Sequence, residues 1–400
     1  MSLSDSPFET RWPVPPPPDA APASGAETIR LAMTSVFGDP LLPLTWSGAP
    51  NNLARALGAL GAEVTSVNPR LPRGQALWHA WRHVLLSRSL PLRREVLLRD
   101  PVARRARALA VTEEAKRLGL DRILHTGTLD LPGNAGDGID HYLYCDHTWD
   151  LAMQVRSGEG HRETREYRRF EELEHQAYDQ ASHIFTFGRY VRDNLIGHYG
   201  VAPERVTAVG SGFGQIRPYT GLKDYARGPL VFVAKHLFAE KGGNLAVKAF
   251  RIARRQRPNL RLIIAGHDRW RDLVGDEPGV HVVGRLSWDA LEELMHSASL
   301  LLQPMLNDPW GQVYLEALIS RTPVAGLERN GLPEITGGGR YGFLVPQPDP
   351  VMLAETLLDA VSDPDRLAGM GAAGQRHVVA NYSWPRAAEA IASVLRAERP

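Results

Sequence analysis

Cysteine is almost absent from this 400-residue chain: Cys145 stands alone. A single thiol cannot build a disulfide framework and fits a reducing compartment. An excess of either charge is missing as well, with 46 lysines and arginines against 45 aspartates and glutamates and a net charge of +1. So balanced a chain carries no overall electrostatic footprint for nucleic acid, and none is expected as a partner. No apolar run approaches the ~20 residues that span a bilayer, and the N-terminus lacks the apolar stretch of a secretion signal. The expectation is a cytoplasmic protein. No Gly-x-Gly-x-x-Gly follows the first apolar segment, which speaks against a dinucleotide-dependent dehydrogenase, and there is no internal repeat. Lysine is scarce too: there are five, and four of them fall in Lys223–Lys248.

What is present is ordinary globular composition, 43% hydrophobic and 23% charged. The length suggests two domains. Residues 1–27, which include Pro13–Pro18, cannot bury enough apolar surface to fold alone and read as a disordered tail. Strand-like segments then recur at Thr28–Ser35, Ala62–Val67, Arg122–His125, Tyr142–Cys145, Ile184–Phe187 and Val206–Val209. After a linker placed in Phe213–Gly228, a second series follows at Leu230–Ala234, Leu260–Ala265, Val280–Val283, Leu300–Gln303 and Pro323–Gly326. Helices fall between them, at Asn51–Leu60, Asn244–Arg255, Trp288–Ser297 and Gln312–Ser320, and the chain ends in helices at Pro350–Val361 (capped by Asp349), Asp365–Ala380 and Trp384–Arg396. Strand, helix and strand in succession mark a parallel sheet joined by crossovers. The fold class is therefore α/β: two doubly wound domains facing across a cleft at the carboxyl ends of their strands, where open sheets bind ligands. Cys145 lies inside a strand and reads as core.

Between Leu71 and Ala110 nine arginines face only Glu95 and Asp100. This is either a helix pair with solvated arginines or a face for an anionic partner. The second alternative makes the basic 70–107 segment a peripheral contact with the inner face of a membrane, or with a phosphorylated acceptor.

Two segments carry chemistry. In Asn307–Ile335, Asp308 and Glu316 stand eight residues apart, separated by Pro309-Trp310-Gly311 and the start of a helix. Gly311 permits close backbone approach, and the amides of Gln312 and Val313 open the helix with unpaired donors that suit a phosphate or sugar oxygen. Glu316 would accept hydrogen bonds from a diol; the plain alternative is a capping aspartate and a surface glutamate. In Val231–Phe250 a strand runs into Lys235, His236, Lys241, Gly242 and Gly243, and Asn244 is placed to cap the next helix. Lysine is a compact charge suited to phosphate oxygens, although solvated loop lysines before a turn would look the same. No Gly-Lys-Ser/Thr makes this a Walker loop.

Together these segments resemble the retaining family 4 glycosyltransferases of the GT-B architecture, over the whole C-terminal half and more loosely over the N-terminal half. The family's Arg-x4-Lys-Gly is met by Lys241-Gly242, with His236 at the arginine position and Lys235 beside it; Ala265-Gly266, Gly284, Gly311, Glu316 and Gly331-Leu332-Pro333-Glu334 also match. The first acid of Glu-x7-Glu is Asp308 here. The resemblance implies an acceptor-binding domain over residues 28–218, a donor-binding domain over 219–382, and a final helix over 383–400 that crosses back to the first domain after Tyr382-Ser383-Trp384. It implies that Lys241, with Lys235 or His236, holds the diphosphate of a nucleotide sugar, that Asp308 and the Gly311–Val313 amides meet the sugar, and that Glu316 meets the ribose. Arg285 and Leu286 lie where the family contacts the base. Gly48, in Ser47-Gly48-Ala49, matches a loop near the phosphates and acceptor, and His147 a strand-end residue near the transferred sugar.

The implied reaction is transfer to a hydroxyl acceptor (sugar, glycan or glycolipid) with retention, a diphosphate oxygen taking the acceptor's proton. No carboxylate nucleophile is read in the N-terminal loops. No metal or other cofactor is expected, because protein cations would neutralise the leaving group and Asp363-Pro364-Asp365 reads as a helix cap. The rival readings are a GT-B sugar-nucleotide epimerase or phosphorylase, and a silent sugar-nucleotide-binding module.

Overall fold

Near-continuous apolar runs form the strands, as expected where helices cover both faces of a parallel sheet. The computed structural model describes residues 28–68, 100–127, 129, 137–157 and 165–397. The expected tail at 1–27 and most of the basic segment, residues 69–99, lie outside the described residues.

The first sheet consists of β1 (Arg30–Thr34), β2 (Glu63–Ser66), β3 (Arg122–Thr126), β4 (Asp140–Cys145), β5 (His183–Thr186) and β6 (Val206–Ala208), in the order β2-β1-β3-β4-β5-β6. Its helices are α1 (Ala49–Ala59), α2 (Pro101–Arg117), α3 (Trp149–Ser157), α4 (Arg165–Gln180) and α5 (Arg189–Gly197). The second sheet consists of β7 (Leu230–Ala234), β8 (Leu262–Gly266), β9 (Val280–Gly284), β10 (Leu300–Leu302), β11 (Val324–Leu327) and β12 (Gly342–Val345), in the order β12-β11-β10-β7-β8-β9. Around it run α6 (Gly243–Gln256), α7 (Trp270–Val274), α8 (Trp288–Ser297), α9 (Gln312–Ile319), α10 (Leu332–Ile335), α11 (Pro350–Ser362) and α12 (Pro364–Asn381), and the chain closes with α13 (Trp384–Ala397). Every described strand pairing is parallel. The second sheet has the doubly wound order 3-2-1-4-5-6, with its switch point between β7 and β10. In the first sheet the order reverses between β1 and β3.

The sequence reading omits β12, a short Gly-Phe-Leu-Val segment lacking the β-branched run that marks the other strands. Asn244 does not cap α6; Gly242, in the left-handed conformation, occupies that position, and Asn244 falls inside the first turn. Asp349 caps α11 through the amides of Val351 and Met352 (2.7 and 2.8 Å), and Asp363 caps α12 through the amide of Arg366 (2.9 Å). The arginines of α2 are not the uniform solvated face of the sequence reading: Arg104 is buried beside Glu174, and Arg107 donates to the Leu129 carbonyl at 3.2 Å.

One apolar cluster runs through both halves, joining Leu31, Leu53 and Leu57 to Leu301, Leu315 and Ile319. Helix α13 lies on α1, burying Ala387, Ala388, Ile391, Ala392 and Leu395 in that same cluster. The connecting segment is tied to the second half. Arg217 pairs with Glu292, its Nη2 2.6 Å from Oε1. The Lys223 ammonium donates to the carbonyls of Met295 (3.0 Å) and Ser320 (2.7 Å), and burial pushes it down to about 7.

Candidate functional site

At the carboxyl end of β7 the chain leaves the sheet with Lys235 and His236 exposed, then turns through Leu237 into Lys241 and Gly242. Gly242 has φ +84°, and a Cβ there would run into the Pro304 carbonyl oxygen, so only glycine lets this turn lie against the loop after β10. Gln303, buried between the two, accepts from the Val233 amide at 2.9 Å and donates to the Lys241 carbonyl at 3.3 Å. Burial lowers the His236 imidazole, and the charges of Lys235, Arg285, Arg269 and His267 push it further. The ends of β7, β8 and β9 thus gather a basic group of side chains in which His236 stays neutral at neutral pH. Arg285 follows β9 directly and is exposed; Leu286 is half-buried beside it.

The loop after β10 brings Asp308 onto Lys241: its Oδ2 pairs with the Lys241 ammonium while its Oδ1 accepts from the Gly311 amide at 2.8 Å. Gly311 is the cap of α9, and Gln312 and Val313 are the first residues of that helix, half-buried at its positive end. Glu316, one turn on, is not the surface glutamate of the plain alternative. It is 7% exposed, and burial raises it to about 7 against the lowering effect of Lys241. Its Oε1 lies against Gly214 of the connecting segment, where a Cβ would strike it. The side-chain nitrogen of Gln312 is buried with no hydrogen-bond partner among the described residues, which leaves a donor at the same helix end.

From the first half, Gly48 (φ +84°) ends a left-handed turn that also includes Trp46 (φ 44°) and Ser47 (φ 57°). Two non-glycine residues in that conformation store strain, and a Cβ on Gly48 would meet the Pro43 carbonyl oxygen at 2.9 Å. The Trp46 ring sits 5.3 Å from Phe187, which meets the Trp310 ring edge-on at 6.1 Å, so an aromatic row runs from this turn to the Asp308–Gly311 loop. Trp310 also donates to Ser211 Oγ at 2.7 Å.

Asp146 and His147 follow β4. Thr148 donates to Asn194 (2.5 Å), the Trp149 amide to Glu174 (2.7 Å) and the Asp150 amide to the Tyr199 hydroxyl (3.1 Å), which fixes this strand end onto α4 and α5. The His147 ring lies 6.4 Å from that of Tyr190.

Sequence reasoning singled out the lysine turn and the loop around Asp308, which the structure joins through an ion pair. It gave no role to three residues, of which Glu334 was named only within the Gly331–Glu334 run. Asp146 is half-buried, and burial together with the charge of Asp308 raises it to about 7. Tyr190 reaches the carbonyls of both Asp146 (2.9 Å) and Pro309 (2.6 Å). Glu334 accepts from the Arg189 amide at 2.7 Å, capping α5 from the opposite half. Asp146 had a signal in its strand-end position beside His147 and Glu334 in its matched run; Tyr190 had none. A pair of cations by a helix N-terminus, facing carboxylates and a histidine strand end, suits a ligand that joins a diphosphate to a polyol.

Residues 222–377 match the family model described as Glycosyl transferases group 1, and residues 51–213 match Glycosyltransferase Family 4. A GDP-mannose-dependent monoacylated alpha-(1-6)-phosphatidylinositol monomannoside mannosyltransferase of Corynebacterium glutamicum is 31% identical over 182 residues, 42% of this chain and 48% of that protein. A D-inositol 3-phosphate glycosyltransferase of Thermobispora bispora is 32% identical over 247 residues, 55% of this chain and 57% of its own length. The matched region therefore spans about half the length of these curated relatives. The sucrose-phosphate synthase structure from Thermosynechococcus elongatus superposes with a TM-score of 0.70 at 18% identity, over 92% of this chain and 99% of that one, a likeness of fold.

Proposed function

Because the chain belongs to the GT-B glycosyltransferases of group 1 and family 4, we propose that it moves a sugar from a nucleoside diphosphate sugar to an acceptor hydroxyl with retention of configuration. The observation that carries this reading is the meeting of the Lys241–Asp308 pair with the glycine-capped end of α9 at the switch point of the second sheet, opposite the β4 end with His147. Lys241, with Lys235 and the neutral His236 nearby, would bind the diphosphate and stabilise its growing charge as the glycosidic bond breaks, an effect worth about 10²–10³ in rate for each preorganised donor. Asp308 and the amides of Gly311, Gln312 and Val313 would take sugar hydroxyls, Glu316 the ribose diol, and Arg285 and Leu286 the base. Gly48 and His147 would close on the sugar from the first half. The name of the Corynebacterium glutamicum relative, a GDP-mannose-dependent mannosyltransferase, supports an activated mannose as the donor.

We also propose that the reaction needs no metal, since lysine charge neutralises the leaving group. Among the described residues no helix is long and apolar enough to cross a membrane. A glycolipid acceptor approached from the inner face of a membrane remains part of this reading. The 70–107 segment offers such a contact fewer cations than its sequence suggests, since Arg104 is buried and Arg107 is bonded to the Leu129 carbonyl.

A thermal-shift panel of UDP-, GDP- and ADP-sugars tests the donor site. The true donor at 100 times its dissociation constant raises stability by about 2.7 kcal/mol, with or without a chelator. Loss of that shift in chelator overturns metal independence, and no shift with any of the donors overturns the reading. Anomer-resolved NMR of the product tests retention, and inversion would overturn it.

A further inference from the structure

Helix α9 is short and is held at both ends. Its eight residues, Gln312–Ile319, span about 12 Å, and Tyr314–Ile319 are buried without a break. One end carries the Gly311–Val313 amides and Glu316 of the candidate site. The other end stops in a strained turn. The amides of Arg321 and Thr322 fold back onto the carbonyls of Leu318 (3.0 Å) and Ala317 (2.8 Å), and Arg321 takes the left-handed conformation, φ +54°, that glycine usually supplies there. A non-glycine residue keeps such a backbone only where its surroundings over-determine it.

Most of those surroundings come from the segment that connects the two halves. The Tyr219 amide donates to the Ile319 carbonyl (3.1 Å), the Lys223 ammonium to the Ser320 carbonyl (2.7 Å) and the Tyr225 hydroxyl to the Arg321 carbonyl (2.6 Å). Gln375 of α12 donates to the carbonyls of Ile319 (2.6 Å) and Tyr219 (2.8 Å) and accepts from Arg321 Nε (2.8 Å). Lys223 also donates to the Met295 carbonyl of α8 (3.0 Å) and to the Thr322 hydroxyl (2.5 Å), so each of its three protons has an acceptor. It joins the segment, α8 and the end of α9 at one point, with a cation at the negative pole of the helix. At the opposite end of α9 the same segment lays Gly214 against the Glu316 carboxylate and the Gln312 side chain.

Resting on the donor reading above, we propose that the connecting segment fixes where α9 stands, and that Lys223 is a positioning residue for the nucleotide. It touches no substrate. It acts through the helix, which is rigid over two turns, so that slack at the C-terminal end displaces the Gly311–Val313 amides and Glu316 at the other. Groups that hold the nucleotide alike before and during the reaction govern KM and leave kcat alone.

The test uses the intact chain. Calorimetry gives the dissociation constants of UDP, GDP and ADP, and nucleoside diphosphate release from UDP-glucose, GDP-mannose and ADP-glucose, with water as the acceptor, gives kcat and KM. Lys223→Met, close in length and without donors, raises the dissociation constant and KM of the preferred nucleotide about tenfold and keeps kcat within about twofold. Tyr225→Phe, which removes one hydroxyl, raises both about threefold and decides the matter if Lys223→Met does not fold. The control is Val111→Ala, a core truncation on α2. It lowers stability in urea yet keeps the nucleotide constants within about twofold of the wild type. Unchanged constants in the folded variants overturn the proposal, as does an equal loss of affinity in Val111→Ala, or a fall in kcat with KM unmoved. A wild type that binds none of the three nucleotides overturns the donor reading itself, so the two failures are distinguishable.

Discussion

Each charged residue of the site is set by one or two neighbours. Lys241 balances two carboxylates, Asp308 by direct pairing and Asp146 through its charge, and it also lowers Glu316. Lys241→Ala therefore removes the cation proposed to hold the diphosphate and leaves three neighbouring acids, Asp308, Asp146 and Glu316, without its charge. Lys241→Ala and Glu316→Ala are each expected to cost about tenfold or more in transfer while circular dichroism shows the fold intact. Near-normal kinetics in both would remove the site assignment. Glu316 also makes a stability prediction with a definite sign. Its folded value, about 7, lies above the ordinary 4.5, so between those pH values the folded chain holds a proton that the unfolded chain releases. Its contribution favours the fold below 4.5 and is lost as pH rises through 7. Glu316→Gln should therefore be more stable than the wild type at pH 8, by about 1–3 kcal/mol, with the difference vanishing near pH 4.5 in urea titrations. A gain that persists unchanged at low pH would show that burial of this charge is not its source. The residue types at Lys241, Asp308 and Glu316 were legible from their spacing. That Asp308 pairs with Lys241, 67 residues earlier, was not, because ion pairing across a sheet edge leaves no local pattern.

At the scale of elements, the site is made by turns at strand ends. Gly242 terminates the lysine turn and caps α6 in a conformation that alanine resists, pressed on the Pro304 carbonyl. Gly242→Ala should destabilise the chain by at least about 1 kcal/mol, a cost of the left-handed backbone alone, and should weaken the nucleotide thermal shift because Lys241 moves with it. A variant matching the wild type in both melting and shift would show that the turn tolerates a Cβ. The glycine pattern of this turn was readable from sequence, yet the cap was assigned to Asn244. Asparagine is a strong cap by composition, and only the path of the backbone moves the helix start back to Gly243. The helices of the second half kept close to their sequence bounds because their apolar periodicity is strong, as in Trp288–Ser297. β12 escaped notice because four residues carry too little periodicity to stand out.

At the scale of the molecule, the two halves share one apolar cluster and one closing helix. Trp384 donates to the Phe213 carbonyl at 3.0 Å, Trp310 to Ser211, and Glu334 caps α5, so contacts from the second half of the chain reach the connecting segment and the first half. Calorimetry should show a single cooperative transition for the intact chain. Ending the chain before Trp384 exposes the buried faces of Leu53 and Leu57 on α1, and should split the transition in two. Two transitions already present in the intact protein would show that the halves unfold independently. Taken alone, the sequence determined the alternation of strands and helices, the glycine turns and the acid and lysine types of the candidate site, because periodicity and turn chemistry act over a few residues. The tertiary structure decided which of those groups meet, that Glu316 is buried under Gly214, that Arg104 turns inward, and that Tyr190 reaches the carbonyls of both Asp146 and Pro309. Those outcomes depend on loops and helices of the two halves meeting across long stretches of chain, where burial and charge are set by neighbours that no local window contains.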